Sequence, residues 1–163
     1  EFRVLLPAVP PQTHLEDAAD HALIPLQEGE GVVMLVEDEP PLRHVARCIL
    51  NRCGYEVIEA ENGEQALRMY REQARKGHKP DVVLMDLTLP GGLTGGETAQ
   101  AILRIDPAAK LVVTSGSVTE DSQRAYMEEG FSGVLAKPYE AGALTLKVRD
   151  VMQMKILRRC QAA

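Results

Sequence analysis

The sequence predicts an α/β fold: a doubly wound sheet of five parallel strands in the order 2-1-3-4-5, with helices on both faces. Three observations carry this expectation. From Gly31 onward, apolar runs of strand length alternate with amphipathic stretches of helix length. The runs are continuously apolar, as in Val32-Val33-Met34-Leu35-Val36, which is the pattern of strands covered on both faces. Acidic, hydroxyl and lysine side chains stand immediately after these runs, where open parallel sheets bind their ligands.

Val32 to Val36 forms the first strand. Pro40-Pro41 then opens a helix, at positions where a missing N–H costs little. Leu42, Val45, Ala46, Ile49 and Leu50 make its apolar stripe, and Gly54 ends it. Tyr55 to Ile58 is a short second strand. Asn62 is the N-cap of a helix that carries Ala66, Leu67, Met69 and Tyr70 and closes at Gly77. Asp81 to Met85 is the third strand, followed by a glycine-rich loop from Pro90 to Gly96 and a helix centred on Ala99 to Leu103. Lys110 to Thr114 is the fourth strand, residues 119–129 the fourth helix, and Gly133 to Ala136 the fifth strand. A long helix from Tyr139 to about Arg158 closes the domain, and the crossovers are right-handed. The domain therefore spans 30–158, with a tail at 159–163. Residues 1–29 differ: Pro7, Pro10, Pro11 and Pro25 interrupt them, so they read as a short strand over Phe2 to Leu6 followed by a linker.

Composition excludes several classes. The 163 residues are 45% hydrophobic and 26% charged, enough for one core that needs no disulfide or metal to fold. The net charge of −6 and the lack of any Lys/Arg-rich face speak against direct nucleic-acid binding. No apolar run approaches the roughly twenty residues of a membrane span, and the first residues lack a signal-peptide pattern. Cys48, Cys53 and Cys160 read as reduced thiols of a cytoplasmic protein, and the four histidines have no metal-site spacing.

The chemistry lies at the strand ends. Glu37 and Asp38 follow the first strand, Asp86 the third, Thr114-Ser115-Gly116 end the fourth, and Lys137 follows the fifth. In the order 2-1-3-4-5 the first and third strands are neighbours, so the three acids converge beside a hydroxyl and an ammonium. Close carboxylates raise one another's pKa unless a cation sits among them, and one lysine does not neutralise three acids. A hard divalent ion with oxygen ligands, Mg²⁺, resolves the excess, with the backbone carbonyl of Thr88 placed to join. Metal, lysine and hydroxyl together suit a phosphoryl group, and Asp86 on the central strand is the candidate nucleophile. Each residue alone has a plainer reading: helix-dipole complement for Glu37-Asp38, a turn for Asp86 and Ser115-Gly116, a solvated lysine for Lys137. Their joint placement carries the inference. The loop from Gly91 to Gly96 lacks a Gly-Lys-Ser/Thr ending and reads as a mobile loop rather than a phosphate cradle.

These residues resemble a known family. Val33-Met34-Leu35-Val36-Glu37-Asp38-Glu39, Leu84-Met85-Asp86-Leu87 with Pro90-Gly91, Thr114-Ser115-Gly116 and Ala136-Lys137-Pro138 look like the receiver domain of two-component response regulators, over about residues 31–155. The resemblance implies a flavodoxin-like, CheY-like fold. It implies phosphotransfer from a histidine of a sensor kinase or a histidine phosphotransfer domain onto Asp86. Mg²⁺ would be held by Glu37, Asp38, Asp86 and the Thr88 carbonyl, with Ser115 as switch hydroxyl and Lys137 as phosphate-pairing lysine. It further implies a cis Lys137–Pro138 bond and an output face made by the fourth helix, fifth strand and fifth helix. Two positions depart from the pattern: Glu37 replaces the commoner Asp, and Val134 stands where a switching Tyr or Phe is usual. Phe2-Arg3-Val4-Leu5-Leu6-Pro7 is similar to the last strand of a histidine-kinase ATP-binding domain, which implies an origin in a hybrid sensor kinase.

Two rival functions are weighed. A phosphatase of the haloacid dehalogenase type also uses a strand-end Asp and Mg²⁺, but it wants a second Asp where this chain has Thr88. A receiver-like docking module that is never phosphorylated has no need of the intact acids and Lys137.

Overall fold

The computed structural model describes residues 29–154. The strand expected over Phe2 to Leu6, the linker, Cys160 and the tail at 159–163 lie outside the described residues.

Five strands, β1 (Val32–Val36), β2 (Glu56–Ala60), β3 (Val82–Asp86), β4 (Leu111–Ser115) and β5 (Gly133–Ala136), alternate with five helices, α1 (Pro40–Arg52), α2 (Gly63–Arg75), α3 (Gly95–Ile105), α4 (Glu120–Glu129) and α5 (Ala141–Gln153). All strand pairings are parallel, and the order is β2-β1-β3-β4-β5, as expected. This is the CheY-like flavodoxin fold.

Alternation along the strands divides the core in two. Met34, Val36, Val83, Met85, Leu111, Val113 and Val134 point to the side covered by α2, α3 and α4. Val33, Leu35, Val82, Leu84, Val112 and Leu135 point to the side covered by α1 and α5. Both sets are buried, which is why the strands read as unbroken apolar runs. The edge strand β2 is the exception, its solvent-facing Glu56 and half-buried Glu59 marking the end of the sheet.

Local chemistry sets the helix starts. The Asn62 side chain accepts from the Gln65 amide at 2.9 Å, as its N-cap role predicts. Thr94 with Glu97, and Thr119 with Ser122, form reciprocal capping boxes on α3 and α4. α1 begins on Pro40-Pro41 with no side-chain cap.

Several expected boundaries shift. β2 runs to Ala60 rather than Ile58, because it pairs with β1 residue for residue up to Val36 and Ala60. β3 includes Asp86, held in register with Thr114, and β4 starts at Leu111 rather than Lys110. Gly95 and Gly96 belong to the first turn of α3 rather than to a loop, since the Thr94 capping box starts the helix there. Gly95 is required at its place: a Cβ would stand 2.0 Å from the Asp86 carbonyl oxygen and 2.7 Å from the Leu87 Cα. α5 begins at Ala141, after the cis Lys137–Pro138 bond, and ends at Gln153, where Met154 turns extended. Residues 155–158 of the expected helix lie outside the described part. No helix among the described residues is long and apolar enough to cross a membrane.

Candidate functional site

Strand order decides what meets at the carboxyl edge of the sheet. β3 is central, with β1 on one side and β4 on the other, so the segments leaving β1, β3, β4 and β5 lie side by side. Glu37 continues β1, its amide donating to the Ala60 carbonyl at 3.1 Å. Lys137 continues β5, its amide donating to the Ser115 carbonyl at 2.8 Å.

Carboxylate oxygens of Glu37, Asp38 and Asp86 come within 4.8 Å of one another, the only such ligand group among the described residues. Glu37 is 1% exposed and Asp86 4%. The Lys137 Nζ lies between them and donates at 2.6 Å to both Glu37 Oε2 and Asp86 Oδ2. Asp86 Oδ1 accepts from the Thr88 amide at 2.9 Å. The second Glu37 oxygen, Oε1, is buried without a partner.

Burial pushes the Glu37 carboxyl up, and the Asp86 carboxylate adds to this, while the Lys137 ammonium pulls the other way without winning. Burial also works against the Lys137 charge, but its bonds to Asp86 and Glu37 outweigh it and hold the ammonium above the usual lysine range. Tyr139, two residues past the lysine, is raised by burial and then by the negative Glu37.

Glu37, Asp38, Asp86 and Lys137 are thus brought together. Ser115 ends the adjoining strand, but its hydroxyl turns to its own loop, donating to the Ser117 carbonyl at 3.1 Å and accepting from the Ser117 amide at 3.3 Å. Val134 is buried among the side chains facing α2, α3 and α4, in the same core cluster that holds Phe131 and packs against Tyr126, an edge-to-face pair.

Residues 33–149 match the family described as the response regulator receiver domain. The chain belongs to that family. Among the relatives of this receiver domain is the chemotaxis protein CheY of Thermotoga maritima, 33% identical over 109 residues, which cover 66% of this chain and 86% of that protein. The sensor histidine kinase AruS of Pseudomonas aeruginosa is 32% identical over 123 residues, or 73% of this chain but only 12% of the kinase. The crystal structure of a LuxR-family two-component response regulator from Aurantimonas sp. SI85-9A1 superposes with a TM-score of 0.66 at 32% identity, covering 76% of this chain and 86% of that one.

Sequence reasoning passed over two further residues at this receiver's edge. Arg43 donates to the carbonyls of Glu37 and Asp38 at 2.6 and 3.2 Å. Glu64 accepts from the Leu93 amide at 2.8 Å and so ties the loop after β3 to α2. For Arg43 a signal was present: a cation near a helix N-terminus opposes the helix dipole and calls for a compensating partner.

Proposed function

We propose that this receiver domain accepts a phosphoryl group from a phosphohistidine onto Asp86, in a Mg²⁺-dependent reaction. One observation carries the reading: a buried carboxylate oxygen, Glu37 Oε1, lacks a partner inside a cluster where three acids face one lysine. A buried carboxylate with one oxygen unpartnered, in a cluster of three acids, is costly, and a hard cation with oxygen ligands relieves it. The donor set therefore fits Mg²⁺, with Glu37, Asp38 and Asp86 as side-chain ligands and the Thr88 carbonyl beside them. When bound, the ion supplies positive charge against the phosphoryl oxygens.

The remaining chemistry belongs to the chain. A carboxylate nucleophile such as Asp86 has no proton to lose in the attack and so needs no general base. One of its oxygens attacks phosphorus; the P–O bond forms as the P–N bond breaks, and the histidine nitrogen leaves with the bonding electron pair. Lys137, already at 2.6 Å from Asp86, is in place to pair with a phosphoryl oxygen. Ser115 leaves its loop bonds and donates to the modified Asp86. The singly charged carboxylate becomes an acyl phosphate of about −2, and this gain of about one negative charge, with its new acceptor oxygens, biases a two-state equilibrium read on the face of α4, β5 and α5.

We assign residues 30–158 to the receiver unit and 1–29 to a linker from an upstream domain. The match to a segment of a sensor histidine kinase supports an origin in a hybrid kinase, with the receiver on the cytoplasmic side. A histidine kinase or phosphotransfer domain is the upstream partner.

Intact-mass spectrometry after incubation with acetyl phosphate and Mg²⁺ tests the reading. Wild type should gain one phosphoryl group, and Asp86→Asn should gain none. An unmodified wild type would leave the docking-module reading standing. Steady release of p-nitrophenol from p-nitrophenyl phosphate would favour the phosphatase instead.

A further inference from the structure

We propose that Arg43 is a positioning residue for the divalent-cation site, holding the backbone of the acid pair Glu37-Asp38 so that both side chains face Asp86. The proposal rests on the Mg²⁺ reading above and adds a residue to it.

The geometry is specific. Arg43 stands on the first turns of α1 and folds back over the loop that joins β1 to α1. Its Nη1 donates to the Glu37 carbonyl at 2.6 Å and to the Asp38 carbonyl at 3.2 Å. Its Nη2 bonds Glu61 Oε1 at 3.1 Å, and its Nε lies 3.7 Å from Glu59 Oε1, both at the end of β2. Only 12% of the side chain is exposed. The planar guanidinium thus fixes two consecutive peptide carbonyls on one edge and is itself fixed by two carboxylates on the other.

A second observation is independent of these bonds. α1 has neither a side-chain cap nor an acid in its first turn. By contrast, α2, α3 and α4 all begin on a capping side chain. Pro40-Pro41 and the Glu37 amide bond to Ala60 fix the chain on either side, and Arg43 holds the carbonyls of the acid pair between them. A cation near this helix end is disfavoured by the dipole and also repels an incoming divalent ion. Its place there is accounted for by what it holds.

Repulsion and positioning predict opposite signs. If Arg43 acts only through its charge, removing it tightens Mg²⁺ binding. If it acts by positioning, removal loosens the ligands and weakens binding, by about tenfold as for other groups that orient metal ligands. The experiment titrates the full chain with Mg²⁺ alone by calorimetry, well below the melting temperature, for wild type, Arg43→Met and Arg43→Lys. Arg43→Met keeps the aliphatic stem and loses every donor. Acetyl phosphate kinetics against Mg²⁺ concentration give a second readout: half-saturation should rise about tenfold, while the plateau rate changes less than about twofold.

An Arg43→Met affinity equal to or tighter than wild type overturns the proposal. If Arg43→Met does not fold, Arg43→Lys decides: a single ammonium cannot hold two carbonyls and two carboxylates, so binding should weaken severalfold, and unchanged affinity overturns it. Asp38→Asn separates the two levels. If wild type binds Mg²⁺ and Asp38→Asn weakens it while Arg43→Met does not, the cation site stands and the role of Arg43 falls. If wild type binds no Mg²⁺, both fall together.

Discussion

Lys137 holds the site together by charge, with one ammonium at 2.6 Å from two buried carboxylates. Removing it leaves Glu37 and Asp86 facing each other unpaired. Lys137→Met should therefore destabilise the Mg²⁺-free protein by about 3 kcal/mol in urea unfolding, the size expected when one member of a buried pair is lost. Asp38→Asn should act in the opposite direction. It relieves repulsion among the three acids and should stabilise the Mg²⁺-free protein by about 1 kcal/mol, the interaction of unit charges about 4 Å apart in water. On the proposed Mg²⁺ reading, saturating ion should reverse that gain, since it would bind only the folded state and the variant would lack one of its ligands. Asp86 and Lys137 were legible because each follows an apolar run directly, and Asp38 because it stands one residue beyond such a run; strand order then dictates their meeting. The unpartnered Glu37 oxygen and the outward Ser115 hydroxyl were not, because rotamers at strand ends depend on neighbours distant in sequence. Arg43 left only one mark in the sequence, a cation set near a helix N-terminus; its reach backward over a helix turn to two backbone carbonyls left none.

At the scale of elements, α3 is seated on the strand that carries Asp86. The backbone contact at Gly95 involves atoms that cannot swing aside, so Gly95→Ala should cost about 2 kcal/mol or more. Its neighbour faces open space, so Gly96→Ala should stabilise by roughly 0.5–1 kcal/mol through its helix preference. Equilibrium denaturation of the pair checks both, and equal effects would refute the seating. The helices and strands themselves were readable from period and caps, and Asn62 served as expected. The misplaced α3 start shows the limit. Two Gly-Gly pairs in the six residues after Pro90 look like loop in sequence, yet Gly95 of the second pair is there for close packing and lies inside a capped helix.

For the whole molecule, acid stability has an identifiable contributor outside the Glu37-Asp38-Asp86 cluster. Burial would raise the Asp106 carboxyl, but Lys79 at 2.6 Å, the Ala108 amide and the Tyr70 hydroxyl outweigh it and hold it below the usual Asp range. A folded-state pKa below the unfolded value means the unfolded chain binds more protons as the pH falls. The contribution of Asp106 is thus complete above the usual Asp pKa of about 4 and is lost as pH drops through the lower folded value. Asp106→Asn should flatten the acid limb of the stability curve and leave its slope at neutral pH unchanged. The parallel, doubly wound sheet was legible at this scale from alternation, and its order from the arrangement that five such units commonly take. The division of helices between faces was not, because side-chain direction along each strand is fixed only once register is known.

The three helices that share one face of the sheet also differ in how they would carry load. There α3 rests directly on the Asp86 carbonyl through Gly95, and α2 is keyed against α3 where Gly63 meets Thr98. α4, by contrast, buries none of its residues. Deformation at the central strand meets a stiff abutment on the α2–α3 side and yields toward α4. Amide exchange should therefore run faster along α4 than along α3. A chemical event at Asp86 is then expressed as drift of a whole helix, a route that needs no aromatic side chain at Val134.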